Sequence, residues 1–369
     1  MERREPRGGR LMHVGFVTSR YPPRTGGVET HVSAVATRLA DRGHTVTVVS
    51  ADAGSDVTDG TVREGVRVRR LRSVGPDDAF HFAPQVVPLV RRLDADVVHA
   101  HNYHALPMGM AAAASVPLVC TPHYHGESAD PIRDRLLRLY RPVGGWALRR
   151  AERVVAVSGW ERDRLATDFG VDATVIPNGI RVERLRAATG RATDTPTLLT
   201  VGRLVEYKGV DQVVRTLPEL PDYRLRVAGD GPDRDRLERV ANEEGVADRV
   251  TFLGYVPDDT LPTEYASADV FVTMSTVEAA GITVGEALAA GTPAVVRPAK
   301  GLRDWTDRDD CVAAEPSELA AAVRRVCGRQ PDPETLPTWE EVTDRLEREY
   351  RAVGGPDGTG NDPDRHPGD

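Results

Sequence analysis

Two glutamates eight residues apart, Glu278 and Glu286, give the clearest chemical signal in the chain. The 18 residues from Ala279 to Val296 hold one charged side chain, Glu286, where the overall 28% charged content would place about five if a helix here had a solvent face. The stretch Ile282–Ala290, ITVGEALAA, therefore reads as a helix buried nearly all round. A lone carboxylate there costs several kcal/mol unless something binds it. A hydroxyl-rich ligand would serve, and so would an Arg elsewhere in the fold. Glu278 lies before Gly281, on the loop into that helix. Both carboxylates then border one site, with the free N–H groups at Gly281 and Ile282 between them. Such a pair can act as acid and base, or it can grip hydroxyls.

A second group is cationic. In Val201–Lys208, VGRLVEYK, a strand ends at Gly202, Arg203 follows, and Lys208 begins a helix. Two cations beside a helix N-terminus suit a diphosphate. The plainer alternative is two surface cations. Lys208 and Lys300 are the only lysines in an Arg-rich chain, which suggests that Lys208 is kept for its compact ammonium. Gly229–Asp230–Gly231 follows a strand and forms a tight turn at the sheet's carboxyl edge, where backbone can meet a ligand. In Arg20–Glu29, RYPPRTGGVE, Gly26 and Gly27 allow close approach just before a helix start, with Glu29 in its first turn. This is not the GxGxxG dinucleotide pattern.

Five histidines cluster in sequence: His99, His101, His104, His123 and His125. His101 and His123 fall just past strands and can reach a cleft as polar or proton-handling groups. The other three read as hydrogen-bonded loop residues. With no HExxH, and no Cys or carboxylate at ligand spacing, a metal site is not expected.

These residues need elements to hold them. β-branched runs at His13–Thr18, Thr45–Ser50, Val66–Arg70, Val97–Ala100, Leu118–Thr121, Val154–Val157 and Thr174–Ile176 read as strands. Amphipathic segments such as Val28–Asp41 and Gly159–Phe169 separate them. The alternation restarts with strands Thr197–Val201, Tyr223–Ala228, Val250–Leu253, Val270–Thr273 and Pro293–Val296. Helices Lys208–Leu217, Arg234–Glu244, Ile282–Ala290 and Ser317–Cys327 lie between or after them. This predicts two doubly wound α/β domains, 11–180 and 197–337, facing across a cleft. Residues 181–196 are the linker, 338–352 a last helix, and 1–10 and 353–369 disordered tails.

Composition narrows the class. The 369 residues suit two domains, and 40% hydrophobic content is ordinary for a globular chain. Residues 1–180 carry a net +4 and 181–369 a net −12. An acidic chain is not expected to bind nucleic acid through its general field. Three widely spaced cysteines argue against a disulfide framework and for a cytoplasmic compartment. No run approaches the ~20 apolar residues of a membrane span. Residues 131–153, however, hold seven Arg and two acids interleaved with Leu136, Leu137, Leu139, Tyr140 and Trp146. That segment could lie on an anionic membrane, although Pro142 and Gly144–Gly145 are expected to break its face, and a solvated helix with its leucines in the core is the alternative.

Taken together, the GGVE loop, VIPNGI at Val175–Ile180, VGRLVEYKG, AGDGP and the Glu–seven–Glu element EAAGITVGE resemble the retaining glycosyltransferases of family four, over roughly residues 11–352. The resemblance implies a GT-B fold, a nucleotide-sugar donor, a hydroxyl acceptor such as a lipid-linked or glycan one, and no metal cofactor. Arg203 and Lys208 would hold the donor diphosphate, and Glu286 the ribose hydroxyls. Gly229, Gly231, Gly281 and Ile282 would line the nucleotide. Glu278 would contact the transferred sugar, and His123, in TPHYH, would lie near sugar and acceptor with His101. Gly26, Gly27 and Glu29 would line the N-terminal side, and the last helix would cross back onto the N-terminal domain. Two departures stand out. Ala280 replaces a usual aromatic, and the usual Gly-Gly-x-x-Glu reads Lys300–Gly301–Leu302–Arg303–Asp304. A GT-B-type epimerase or phosphorylase, or a non-catalytic nucleotide-sugar-binding protein, are the competing readings; the last need not retain Glu278.

Overall fold

The computed structural model describes residues 10–52, 60–74, 81–126, 131–191 and 194–354. Of the expected tails 1–10 and 353–369, residues 1–9 and 355–369 lie outside the described residues, while Val353 and Gly354 belong to the last helix.

The first domain is built on an eight-stranded sheet. Its strands are β1 (His13–Thr18), β2 (Thr45–Ser50), β3 (Thr61–Arg63), β4 (Val66–Arg70), β5 (Val97–His101), β6 (Leu118–Thr121), β7 (Arg153–Ala156) and β8 (Thr174–Val175), in the order β3-β4-β2-β1-β5-β6-β7-β8. Only β3 pairs antiparallel, closing a hairpin with β4. The second domain has six parallel strands: β9 (Thr197–Val201), β10 (Arg224–Ala228), β11 (Val250–Gly254), β12 (Val270–Thr273), β13 (Ala294–Val296) and β14 (Cys311–Ala313), ordered β11-β10-β9-β12-β13-β14. Helices α1 (Gly27–Asp41), α2 (Val86–Arg92), α3 (Leu106–Ala111), α4 (Pro131–Arg150) and α5 (Gly159–Phe169) belong to the first domain. The short α6 (Val182–Arg186) interrupts the expected linker. Helices α7 (Val210–Thr216), α8 (Arg234–Glu243), α9 (Leu261–Ala266), α10 (Ile282–Ala289) and α11 (Leu319–Val326) belong to the second, and α12 (Trp339–Gly354) ends the described chain.

The strands are apolar on both faces because helices cover both faces. On β1, Val17 enters one core while Val14 and Phe16 enter the other, following the period of two along a strand. The second core on that sheet is completed by Trp339, Leu346 and Tyr350 of α12. The last helix therefore lies on the first domain. Arg42, which caps the C-terminal end of α1, clamps it through Glu340, Asp344 and Glu347, each at 2.7 Å. The two crossings between domains lie side by side, with Ile180 N–H donating to the Pro337 carbonyl at 2.7 Å.

The topology fixes where a ligand goes. β1 sits between β2 and β5, and β9 between β10 and β12, so each sheet reverses its winding there. Ligands of such sheets bind beyond the carboxyl ends of the strands at that switch point. Those ends lead into the Arg20–Glu29 loop, His101, Gly202–Lys208 and the Glu278 loop.

One expectation fails in α4. The helix runs unbroken through Pro142, Gly144 and Gly145. The glycines are needed for packing: a Cβ on Gly144 would stand 2.5 Å from the Tyr103 ring, and one on Gly145 3.0 Å from Phe169. Leu137 and Leu148 go into the core, but Leu136, Leu139, Val143 and Trp146 remain exposed on one arc of the helix.

Candidate functional site

The site is best built from Glu286 outward. Gly281 caps α10 with φ 67, a conformation that suits glycine, and a Cβ there would stand 2.6 Å from Leu302. One turn later, the Glu286 carboxylate accepts the Tyr265 hydroxyl of α9 at 2.8 Å. Burial pushes the Glu286 carboxyl up to about 7; the Tyr265 hydrogen bond and the Arg181 charge pull it down, and Asp258 adds to the rise. The partner in the fold is therefore a tyrosine hydroxyl rather than an arginine, with Arg181 acting only through its charge. A cavity of about 80 Å³ opens here, lined by Arg181, Arg184, Asp258, Tyr265, Ile282 and Glu286 among others. It holds both charge signs and two hydrogen-bonding groups suited to a sugar's hydroxyls.

The second end of the site lies beyond β9. Lys208 forms an ion pair with the Glu278 carboxylate. Burial lowers the Lys208 pKa, but the charge and hydrogen bond of Glu278 outweigh it and raise it overall. Lys208 does not begin an α-helix as expected. It ends the 3-10 turn Glu206–Lys208, and α7 starts only at Val210. Gly209 separates them at φ 64, pressed so close to Met274 that a Cβ would stand 2.5 Å from its carbonyl oxygen. Gly229 and Gly231 are glycines because chain segments touch: a Cβ on either would overlap the carbonyl of Gly202 or Leu204. They shape the floor beside Lys208. Arg203 lies exposed at the edge of the same floor.

Across the cleft stands the start of α1. Glu29 is buried and turned back on Gly26, with its Oε1 accepting from Arg20 Nε at 2.9 Å. It shapes the loop rather than facing the opposite domain. Gly27 approaches the opposite domain directly, since a Cβ there would stand 3.8 Å from Cδ1 of Ile282. Two helix N-termini thus meet, and both favour anions. The loop is anchored behind by Asp52, which accepts Tyr21 N–H at 3.0 Å and pairs with Arg70 at 2.7 Å.

The histidines form a buried stack. His101 Nδ1 and His123 Nε2 lie 3.3 Å apart, and His123 holds a left-handed φ of 49. His31 of α1 completes the group, its ring centroid 5.3 Å from each of the other two. Its Nδ1 donates to Asn178 Oδ1 at 2.7 Å. Burial pushes all three pKa values down, to about 4 for His31, so these rings are neutral at pH 7. They can donate and accept hydrogen bonds but carry no charge. His99 is held between Tyr350 and Thr121, at 2.6 and 2.7 Å. His104 and His125 stack at 3.7 Å. Among the described residues, no three His, Cys, Asp or Glu converge as metal ligands would.

Sequence reasoning missed Tyr265, Arg181, Arg184 and His31. The first three come from a short helix and the linker, where no local pattern marks a site. His31 is a polar residue on the buried face of an amphipathic helix, and that was its available signal.

The fold agrees with comparison to known proteins. Residues 25–184 match the model of Glycosyltransferase Family 4, and residues 181–336 that of Glycosyl transferases group 1. The glycogen synthase of Mycobacterium tuberculosis is 30% identical, over 85% of this chain and 86% of its own. A GDP-mannose-dependent alpha-(1-6)-phosphatidylinositol monomannoside mannosyltransferase of Mycolicibacterium smegmatis is 30% identical, over 85% and 92%. In structure, Anabaena HepE in complex with UDP and glucose superposes with a TM-score of 0.73 at 18% identity, over 93% of this chain and 100% of its own, which supports the GT-B fold. This chain, with its two facing α/β sheets, belongs to glycosyltransferase family 4.

Proposed function

We propose that the chain is a retaining transferase that moves a hexose-type sugar from a nucleotide-diphosphate-sugar to a hydroxyl acceptor. The observation that carries this reading is the arrangement of Lys208–Glu278 and Tyr265–Glu286 on one sheet edge, opposite the start of α1. Glu286 accepts the ribose hydroxyls. Arg203, Lys208 and backbone N–H groups take the charge that develops on the diphosphate as its bond to the anomeric carbon breaks. The acceptor oxygen bonds to that carbon on the same face, and its proton passes to the departing diphosphate. Glu278 and the neutral His123 orient the sugar through hydrogen bonds. The nucleotide-sugar substrates named for the relatives support the donor class.

A thermal-shift panel of UDP-, GDP- and ADP-sugars tests donor binding, because a ligand of the folded state raises its melting temperature. Nucleotide release with candidate acceptors, and the anomeric configuration of the product, follow. An inverted product would remove the retaining mechanism, and no shift with any donor would remove the transfer reading. Chelator should leave turnover unchanged, since the leaving-group charge is assigned to protein groups.

The acceptor side of this reading is an anionic membrane on its cytoplasmic face. No helix of the described residues is long and apolar enough to cross a membrane. Leu136, Leu139, Val143 and Trp146 nevertheless project from α4 beside exposed Arg135, Arg138, Arg149 and Arg150. Apolar side chains in the acyl boundary and arginines among anionic headgroups give such a helix two additive sources of binding, about 1 kcal/mol for each cation. Co-sedimentation with phosphatidylserine vesicles at low salt should capture the wild type and release Leu139→Glu/Trp146→Glu. Absence of wild-type binding discards the membrane.

A further inference from the structure

The six residues Lys300–Trp305 form a 3-10 segment that touches both domains. Within its own domain it holds the Glu278 loop at two points. Gly301 N–H donates to the Glu278 carbonyl at 3.0 Å, and the Trp305 indole N–H to the Ala280 carbonyl at 2.7 Å. Across the cleft it holds the first domain at two more. The Lys300 ammonium donates to the His125 carbonyl at 2.8 Å and lies 5.8 Å from the centroid of the Trp160 ring. The Asp304 carboxylate accepts Gly159 N–H, at the start of α5, at 2.5 Å. His125 belongs to the loop of His123, so one short segment ties the two loops that would flank a transferred sugar.

The backbone points the same way. Lys300 has φ 49, a conformation that glycine adopts without strain and other residues seldom do. A lysine, one of two in the chain, stands there all the same. Such strain persists where surrounding contacts over-determine it, and here those contacts cross the domain boundary. The cavity beside Glu286, about 80 Å³, is smaller than the ~300–1,000 Å³ of ordinary ligand pockets.

We propose that Lys300 and Asp304 are positioning residues that clasp the two domains. The clasp opens to admit the donor, and on closing it sets the Glu278 loop against the His123 loop, so that closure and alignment of the sugar are one event. Asp304 is solvent-exposed, which suits a contact that must break and re-form. The inference rests on the cleft being the site of sugar transfer.

Lys300→Gly removes the amine while fitting the backbone, and Asp304→Ala removes the acceptor. In the double variant, Gly159 amide exchange should accelerate and the radius of gyration from solution scattering should grow. With whichever of UDP-glucose and GDP-mannose the wild type turns over, kcat for nucleotide release should fall about tenfold or more while the donor KM stays within about twofold. Asp304→Asn, which keeps an oxygen for Gly159 N–H, should retain most of kcat. Unchanged Gly159 exchange and scattering, or an unchanged kcat, would overturn the proposal. So would a loss of kcat that only tracks a lower melting temperature and that Asp304→Asn shares. If the wild type turns over neither donor, the transfer reading is at fault, and exchange and scattering still decide the clasp.

Discussion

The Lys208 ammonium and the Glu278 carboxylate form an ion pair within the cleft. Two groups assigned to different parts of the donor, its diphosphate and its sugar, neutralise each other in this structure. Donor binding must exchange that pair for contacts to the ligand. Lys208→Ala should therefore weaken donor binding by ~1.5–3 kcal/mol, about 10–150-fold, as loss of a charge-assisted hydrogen bond does. Glu278→Gln should leave diphosphate affinity close to wild type while lowering kcat. Calorimetry with the nucleoside diphosphate, set beside turnover of the donor, separates the two; equal loss in both variants would merge the roles.

Glu286 makes function oppose stability. Its folded pKa of about 7 lies above the ordinary value of 4.5. The folded state thus holds a proton that the unfolded chain releases. This contribution to stability is complete below pH 4.5 and lost as pH rises to about 7. Glu286→Gln should then be more stable than wild type at pH 8 by about 1–2 kcal/mol, discounted for solvent reaching it through the cavity. Donor affinity should rise with pH through about 7 in the wild type, because the ionised carboxylate is the better acceptor for ribose hydroxyls, and should be flat in the variant. Urea unfolding and binding between pH 5.5 and 8.5 test both signs.

The histidine stack has the opposite sign. Its folded pKa values are depressed, so below pH 6.5 the unfolded chain takes up protons that the folded chain refuses. Stability from this source is intact above pH 6.5 and falls toward pH 4, by about 3 kcal/mol for His31 alone. Since Glu286 runs the other way, the useful quantity is a difference. His31→Gln should flatten the decline between pH 6.5 and 4 relative to wild type. Parallel curves would mean that His31 is protonated in the folded state.

Gly229 and Gly170 offer a matched pair. Both have positive φ, 141 and 63, but a Cβ on Gly229 would overlap the Gly202 carbonyl while one on Gly170 meets nothing within 4 Å. Gly229→Ala should cost more than about 2 kcal/mol, and Gly170→Ala only ~1 kcal/mol. Thermal unfolding compares them directly.

How much of this was legible in the sequence follows from what is local. Strands such as Thr45–Ser50 announced themselves because the run is rich in β-branched residues and all but its first residue is buried. β3 and β14 were missed: Thr61–Arg63 is exposed and polar, and Cys311–Ala313 is only three residues long. Glu286 was legible because a buried charge breaks an apolar stretch. Its partner Tyr265 was not, since it lies 21 positions earlier and no local pattern brings α9 beside α10. The helix start at Lys208 was misplaced because Gly209 reads as one weak helical residue, whereas it holds a left-handed turn against Met274 with no room for a Cβ. Pro142 misled for the converse reason, since propensity was outweighed by the packing of α4 on Tyr103 and Phe169.

The return of α12 to the first domain has a consequence for synthesis. Trp339, Leu346 and Tyr350 complete a core whose other members lie mostly within the first 180 residues. The second domain, although later in the chain, has all its strands synthesised before those three side chains are made. The first domain therefore waits, with an apolar face uncovered, until the second has been made, and is meanwhile a target for chaperones. Removing the last sixteen residues of the described chain should leave the nucleotide half protease-resistant and the other half degraded.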